Sequence, residues 1–85
     1  MSEHGALYEV TKCTRGEEVD EVILTSRNGD KKYRLYFEAN NSQQVLEVHD
    51  ISTGRKKAVH KRSHAQYLTE LAQAYLKRNP APAYL

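Results

Sequence analysis

Side chains able to do nucleophilic, acid–base or metal chemistry are few in this 85-residue chain: one Cys, four His and an acidic knot at 17–21. His60 and His64 stand four apart, the spacing that puts two imidazoles on one helix face. Ser63 followed by Gln66 reads as a helix N-cap with a capping box, so the helix begins after His60 and the pair is split. Zinc also needs a third and usually a fourth ligand, and no such set is spaced for it. No metal site and no cofactor is expected. Cys13 beside a His would make a nucleophile pair, but a lone Cys near the end of a strand reads as a half-buried small apolar residue. Glu17, Glu18, Asp20 and Glu21 read as a charged turn leading into a strand. Gly29 and Gly54 are isolated turn glycines, not a phosphate-cradling loop. No residue is assigned a catalytic role, and the chain is read as a non-enzyme.

What remains is charge. The stretch "STGRKKAVHKRSH" (52–64) holds five Lys or Arg, two His and no acid. The formal net charge is only +2, yet residues 1–50 carry six basic and ten acidic side chains and residues 51–85 carry seven and one. A split of −4 and +6 points to an electrostatic partner more than the overall balance does. As a solvated loop the run needs no partner. As a phosphate contact, Arg55, Lys56, Lys57, Lys61 and Arg62 lie next to the backbone N–H groups of Ala65 and Gln66, where a helix N-terminus favours anions.

These residues must be positioned by a small α+β domain. "GALYEVTKC" (5–13) and "EVILTS" (21–26) read as strands joined by the turn "TRGEE". "KKYRLYFEA" (31–39) alternates, with Tyr33, Leu35, Phe37 and Ala39 on one face. Asn28-Gly29 predicts a two-residue type I′ hairpin pairing Arg27 with Asp30, which sets Val22 opposite Leu35 and Leu24 opposite Tyr33. "QQVLEVH" (43–49) is a fourth strand whose register is expected to pair Leu46 with Phe37 and Val48 with Leu35. Gly54 then makes a left-handed turn into a short fifth strand at 56–60. The helix follows Ser63, carries Leu68, Leu71, Ala72 and Tyr75 at helical spacing, and ends at Asn79-Pro80 behind Lys77 and Arg78. The expected architecture is an antiparallel meander of four or five strands with one C-terminal helix packed on one face. The domain is placed at 1–79, with an extended tail at 80–85.

One helix covers one face of a sheet. The other is expected to carry Ile23, Thr25, Lys32, Arg34, Tyr36, Val45, Glu47 and His49, joined by Lys57. A curled sheet or a second copy of the chain would bury such a face. Alternatively, Tyr36 offers a ring for base stacking while Lys32, Arg34 and Lys57 track phosphates; Glu21, Glu38 and Glu47 oppose that use.

From residue 31 onward, "KKYRLYFEANNSQQVLEVHD", then "GRKKAV", then a helix containing "YLTELAQAYL" resembles the single-stranded nucleic-acid-binding domains of the transcriptional positive-cofactor and Pur-alpha type. The resemblance covers a little over half the chain. It implies that Gly54, Arg55 and Lys56 form the family's glycine-basic turn and that Tyr67 and Leu71 face the core. It also implies a homodimer binding single strands along the sheet. The chain departs from the pattern where a second glycine is usual, since Lys57 stands there, and His60-Lys61-Arg62 lengthens the segment before the helix.

The single cysteine suits a reducing compartment, the first ten residues do not read as a signal peptide, and no run approaches the ~18 apolar residues of a membrane span. A cytoplasmic, non-enzymatic nucleic-acid-binding protein is therefore expected. Its contacts would be Arg55, Lys56, Lys57, Lys61 and Arg62 on the basic strip, with Lys32, Arg34 and Tyr36 on the sheet. The alternative is a small regulator or inhibitor that binds an acidic protein.

Overall fold

The computed structural model describes residues 7–79. Five strands, β1 (Tyr8–Arg15), β2 (Val19–Ser26), β3 (Lys32–Glu38), β4 (Asn41–Asp50) and β5 (Arg55–Lys57), precede one helix, α1 (His64–Arg78). The strands pair in sequence order as a single antiparallel meander, so the α+β architecture read from the pattern is the observed one. The expected start of β1 at Gly5 and the tail from Pro80 lie outside the described residues.

Alternation dictates the core. Val22 and Leu24 of β2, Tyr33, Leu35 and Phe37 of β3 and Val48 of β4 are buried on one face. The helix answers with Ala65, Leu68, Ala72 and Leu76, a stripe at 3.6-residue spacing. Leu71, Tyr75 and Tyr67 flank it, half-buried against the same core.

Val22 pairs with Leu35 and Leu24 with Tyr33, as the hairpin reading required. The turn that delivers this register is different. The Ser26 N–H donates to the Lys31 carbonyl at 2.9 Å and the Gly29 N–H to the Ser26 carbonyl at 2.9 Å, closing a four-residue loop around Arg27–Asp30. Gly29 alone takes positive φ (84°). The Asn28 side chain instead accepts from the Ser26 hydroxyl at 2.8 Å, which removes the type I′ turn and the Arg27–Asp30 pair. Loops of two and four residues conserve the pairing sum, which is why the register survives the wrong turn.

The β3–β4 hairpin departs further. Its loop is Ala39-Asn40, with Asn40 left-handed at φ 61°, so Ala39 sits in the turn and not at the end of β3. Two irregularities follow, and Phe37 pairs with Val45 while Leu35 pairs with Val48. Leu46 is the extra residue of the bulge and is 47% exposed. The expected Leu46–Phe37 pair is not made, and Val45 packs against the core instead of lying on the open face. β1 extends through Thr14 and Arg15, which the turn reading had claimed, and bulges between Val10 and Lys12. There the Thr11 hydroxyl lies 2.8 Å from that of Thr25. β5 stops at Lys57, short of the expected His60.

The two ends of the helix are fixed differently. At the start the Ser63 hydroxyl accepts from the Gln66 N–H at 3.1 Å. The Gln66 side chain reaches the Arg62 N–H rather than that of Ser63, because the Ser63 N–H already donates to the His60 carbonyl at 3.0 Å. The box is thus displaced by one residue, and Arg62 is held left-handed at φ 64°. At the end Arg15 binds two elements at once. Its Nη1 donates to Asp20 Oδ2 at 2.7 Å and its Nη2 to the Asn79 carbonyl. Asp20 is 3% exposed, and its other oxygen accepts from the Gly16 N–H at 3.2 Å.

Candidate nucleic-acid interface

The sequence placed its candidate residues on one basic strip and one sheet face. Strand geometry distributes them over three places. On the open face, Arg34 pairs in register with Ile23 and His49, and Tyr36 with Glu21 and Glu47. Each is engaged there. Arg34 Nε lies 2.8 Å from Glu21 Oε2, and the Tyr36 ring stands edge-on to His49 at 5.9 Å. His49 Nε2 is 2.6 Å from Glu47 Oε1. The Glu47 carboxyl is drawn below its usual range, first by the hydrogen bond with His49 and then by the Lys56 charge. Lys56, opposite His49, lies 3.7 Å from that same carboxylate. Lys32, opposite Thr25, is exposed at the edge of this face.

Lys57 is not on the open face. It pairs with Val48, a core position, so its side chain lies on the helix side, where Nζ stands 5.9 Å from the Tyr33 ring centroid. A one-residue step along a strand reverses the face, and the β4–β5 register sets Lys56, not Lys57, opposite His49 on the open face. Lys61 and Arg62 form the turn ahead of the helix, lining a shallow cleft of about 330 Å³ with Ser63, Gln66, Tyr67 and Glu70. The Gln66 N–H, one of the two donors proposed for an anion, is already taken by the Ser63 hydroxyl.

The helix-side end of the sheet holds a feature the sequence reading missed. The rings of Tyr8, Tyr33, His64 and Tyr67 form one contiguous pile: centroids are 5.7 Å apart for Tyr8–Tyr33, 5.6 Å for Tyr8–His64, 5.4 Å for Tyr33–His64 and 6.3 Å for Tyr8–Tyr67. His64 and Tyr67 lie nearly parallel, 19° apart at 6.2 Å. Tyr33 is the buried floor. Desolvation, then the neighbouring Tyr8 and Asp50, push its phenol up to about 12. His64 is exposed yet held below the usual imidazole range, first by partial desolvation and then by the Lys57 and Lys31 charges, with Asp50 opposing. Two parts of this pile were readable: His64 and Tyr67 at i and i+3 share a helix face. The arrival of Tyr8 was not, because it depends on the β1 bulge and on where the helix crosses the sheet.

Cys13 is half-buried against the core, and burial pushes its thiol up. Among the described residues no three His, Cys, Asp or Glu side chains gather closely enough to hold a metal ion. No helix among them is long and apolar enough to cross a membrane. No family model, curated protein or solved structure matches the chain.

Proposed function

We propose that this is a small non-enzymatic protein that binds single-stranded DNA or RNA through the cations between β5 and the start of α1. The observation that carries the reading is how charge is compensated. Asp20, Glu21 and Glu47 each have a cationic partner, whereas Arg55, Lys57, Lys61 and Arg62 make no ion pair among the described residues. Residues 51–69 contain no acid at all. Unpaired cations on a rim beside the exposed His64 ring and the half-buried Tyr8 and Tyr67 suit a flexible polyanion that also carries bases. The likeness to single-strand-binding domains supports the same reading.

Arg34 and Tyr36 are left out of the proposed contact, since Glu21 neutralises the first and His49 and Glu47 crowd the second. Lys32 stays at its margin. That charge-paired open face favours a second reading, in which it docks an apolar partner surface or another copy of the chain while the basic strip meets an acidic protein. Anisotropy titrations of a labelled single strand, a duplex and an RNA separate the two. Lys57→Glu with Lys61→Glu abolishes oligonucleotide binding under the first reading. An absence of binding by the wild type at low salt, with a dimer seen in light scattering, favours the second.

A further inference from the structure

The phosphate rim says where a backbone is attracted but not where bases lie. The ring pile sits between two clefts. Tyr67 lines the one bordered by Lys61 and Arg62, and Tyr8 lines another of about 310 Å³ bordered by Arg27 and Lys31. Lys57 stands over Tyr33 between them. Cations therefore border the ring cluster at the Tyr67 cleft, at the Tyr8 cleft and over Tyr33. Acids are present as well: Glu70 lines the first cleft, Asp30 the second, and Asp50 acts on both Tyr33 and His64. Asp50 keeps its charge, its Oδ1 accepting from the Ser52 N–H at 2.9 Å and the Thr53 N–H at 3.3 Å, and so counts against a phosphate at Tyr33 and His64.

We infer that a single strand crosses the protein at the N-terminal end of α1, not along the open sheet face, stacking its bases on His64, Tyr67 and Tyr8 while Lys57, Lys31 and the Lys61–Arg62 turn hold its phosphates. This path rests on the nucleic-acid reading. Aromatic faces accept any base, so the site discriminates single strands from duplexes rather than one sequence from another. His64 adds a signature that a stack of tyrosines alone would lack. It faces Tyr8 of β1, Tyr33 of β3, Tyr67 of its own helix, the charges of Lys31 and Lys57, and the opposing charge of Asp50. A phosphate drawn among these groups offsets the lysines and favours the imidazolium. Binding and protonation of His64 therefore reinforce each other, and affinity rises as pH falls.

The test uses a rhodamine-labelled dT12 and an abasic twelve-mer with the same phosphates, titrated by anisotropy at pH 8 and pH 5.5. Circular dichroism checks that each variant is folded. The path predicts that the abasic oligomer binds more weakly and that His64→Ala weakens dT12 binding about five- to hundredfold. Tyr36→Ala is expected to change it less than about twofold. Wild-type affinity rises about five- to tenfold at the lower pH, and in His64→Phe the ratio of pH 5.5 to pH 8 affinity falls to about one, whatever its affinity at pH 8. Binding that is equal for the abasic oligomer, or weakened more by Tyr36→Ala than by His64→Ala, overturns the path and leaves the nucleic-acid reading standing. So does a pH rise that persists in His64→Phe. No binding of either oligomer at any pH overturns both.

Discussion

Arg15 ties the β1–β2 turn to the end of the helix, and its removal should cost more than a surface charge normally does. In Arg15→Ala the Asp20 carboxylate, 4% exposed as a side chain, keeps only the Gly16 N–H. The Asn79 carbonyl loses its guanidinium as well. Removing one member of a fully buried pair costs about 3–5 kcal/mol. The Arg15 side chain is 22% exposed, so water reaches the vacated space and the cost falls to the bottom of that range or just below it. A charge-assisted hydrogen bond of about 1.5–3 kcal/mol leads to the same figure. We expect a loss of about 2–3 kcal/mol, read by urea denaturation followed through tyrosine fluorescence, since the chain has six Tyr and no Trp. In a domain this size that lowers Tm by roughly 10–20 °C. Asp20→Asn and the double variant complete a cycle whose coupling should exceed about 1 kcal/mol. A loss below about 0.5 kcal/mol with additive single variants would refute the clamp and leave an ordinary solvated ion pair.

Gly16→Ala places a Cβ 2.5 Å from the Val19 carbonyl oxygen, so the same turn must shift, at a cost of about 1–3 kcal/mol in the same denaturation assay. Gly54→Ala meets no atom within 4 Å but must hold φ at +75°, so about 1 kcal/mol of backbone strain is expected, and Gly54→Asn should recover part of it. One tyrosine, Tyr33, titrates near pH 12 in an absorbance titration. Because its folded value is raised, its contribution to stability is whole below about pH 10 and is lost as pH climbs from there towards 12. The raised Cys13 thiol should react with a disulfide reagent more slowly at pH 7 than free cysteine does, and the rate should catch up on denaturation.

The fold was legible where two independent signals agreed. Alternation and a turn signal both set Val22 against Leu35, and the register held although the turn type did not. Ser63 as cap and the Leu68–Ala72 spacing both marked the helix, and both are observed. Prediction failed where one inserted residue resets a face. The bulge at Leu46 moved Val45 inward, and a β4–β5 register pairing Lys57 with Val48 puts Lys57 on the helix side. Bulges leave no mark in binary pattern, because the extra residue is compatible with either face. The candidate site inherited those errors. Its cations are plain in the sequence, but Arg34 and Lys56 are compensated by acids on neighbouring strands, a cross-strand relation that needs the register first. The ring pile lay further out of reach still, assembled from β1, β3 and α1.

The most direct measurement is the salt dependence of single-strand binding. With Arg55, Lys57, Lys61 and Arg62 contacting phosphates and Lys56 partly held by Glu47, log K against log salt should fall with a slope of about −3, from roughly −0.7 for each phosphate neutralised. A slope near zero, or no binding at low salt, would contradict the cationic rim as a nucleic-acid contact.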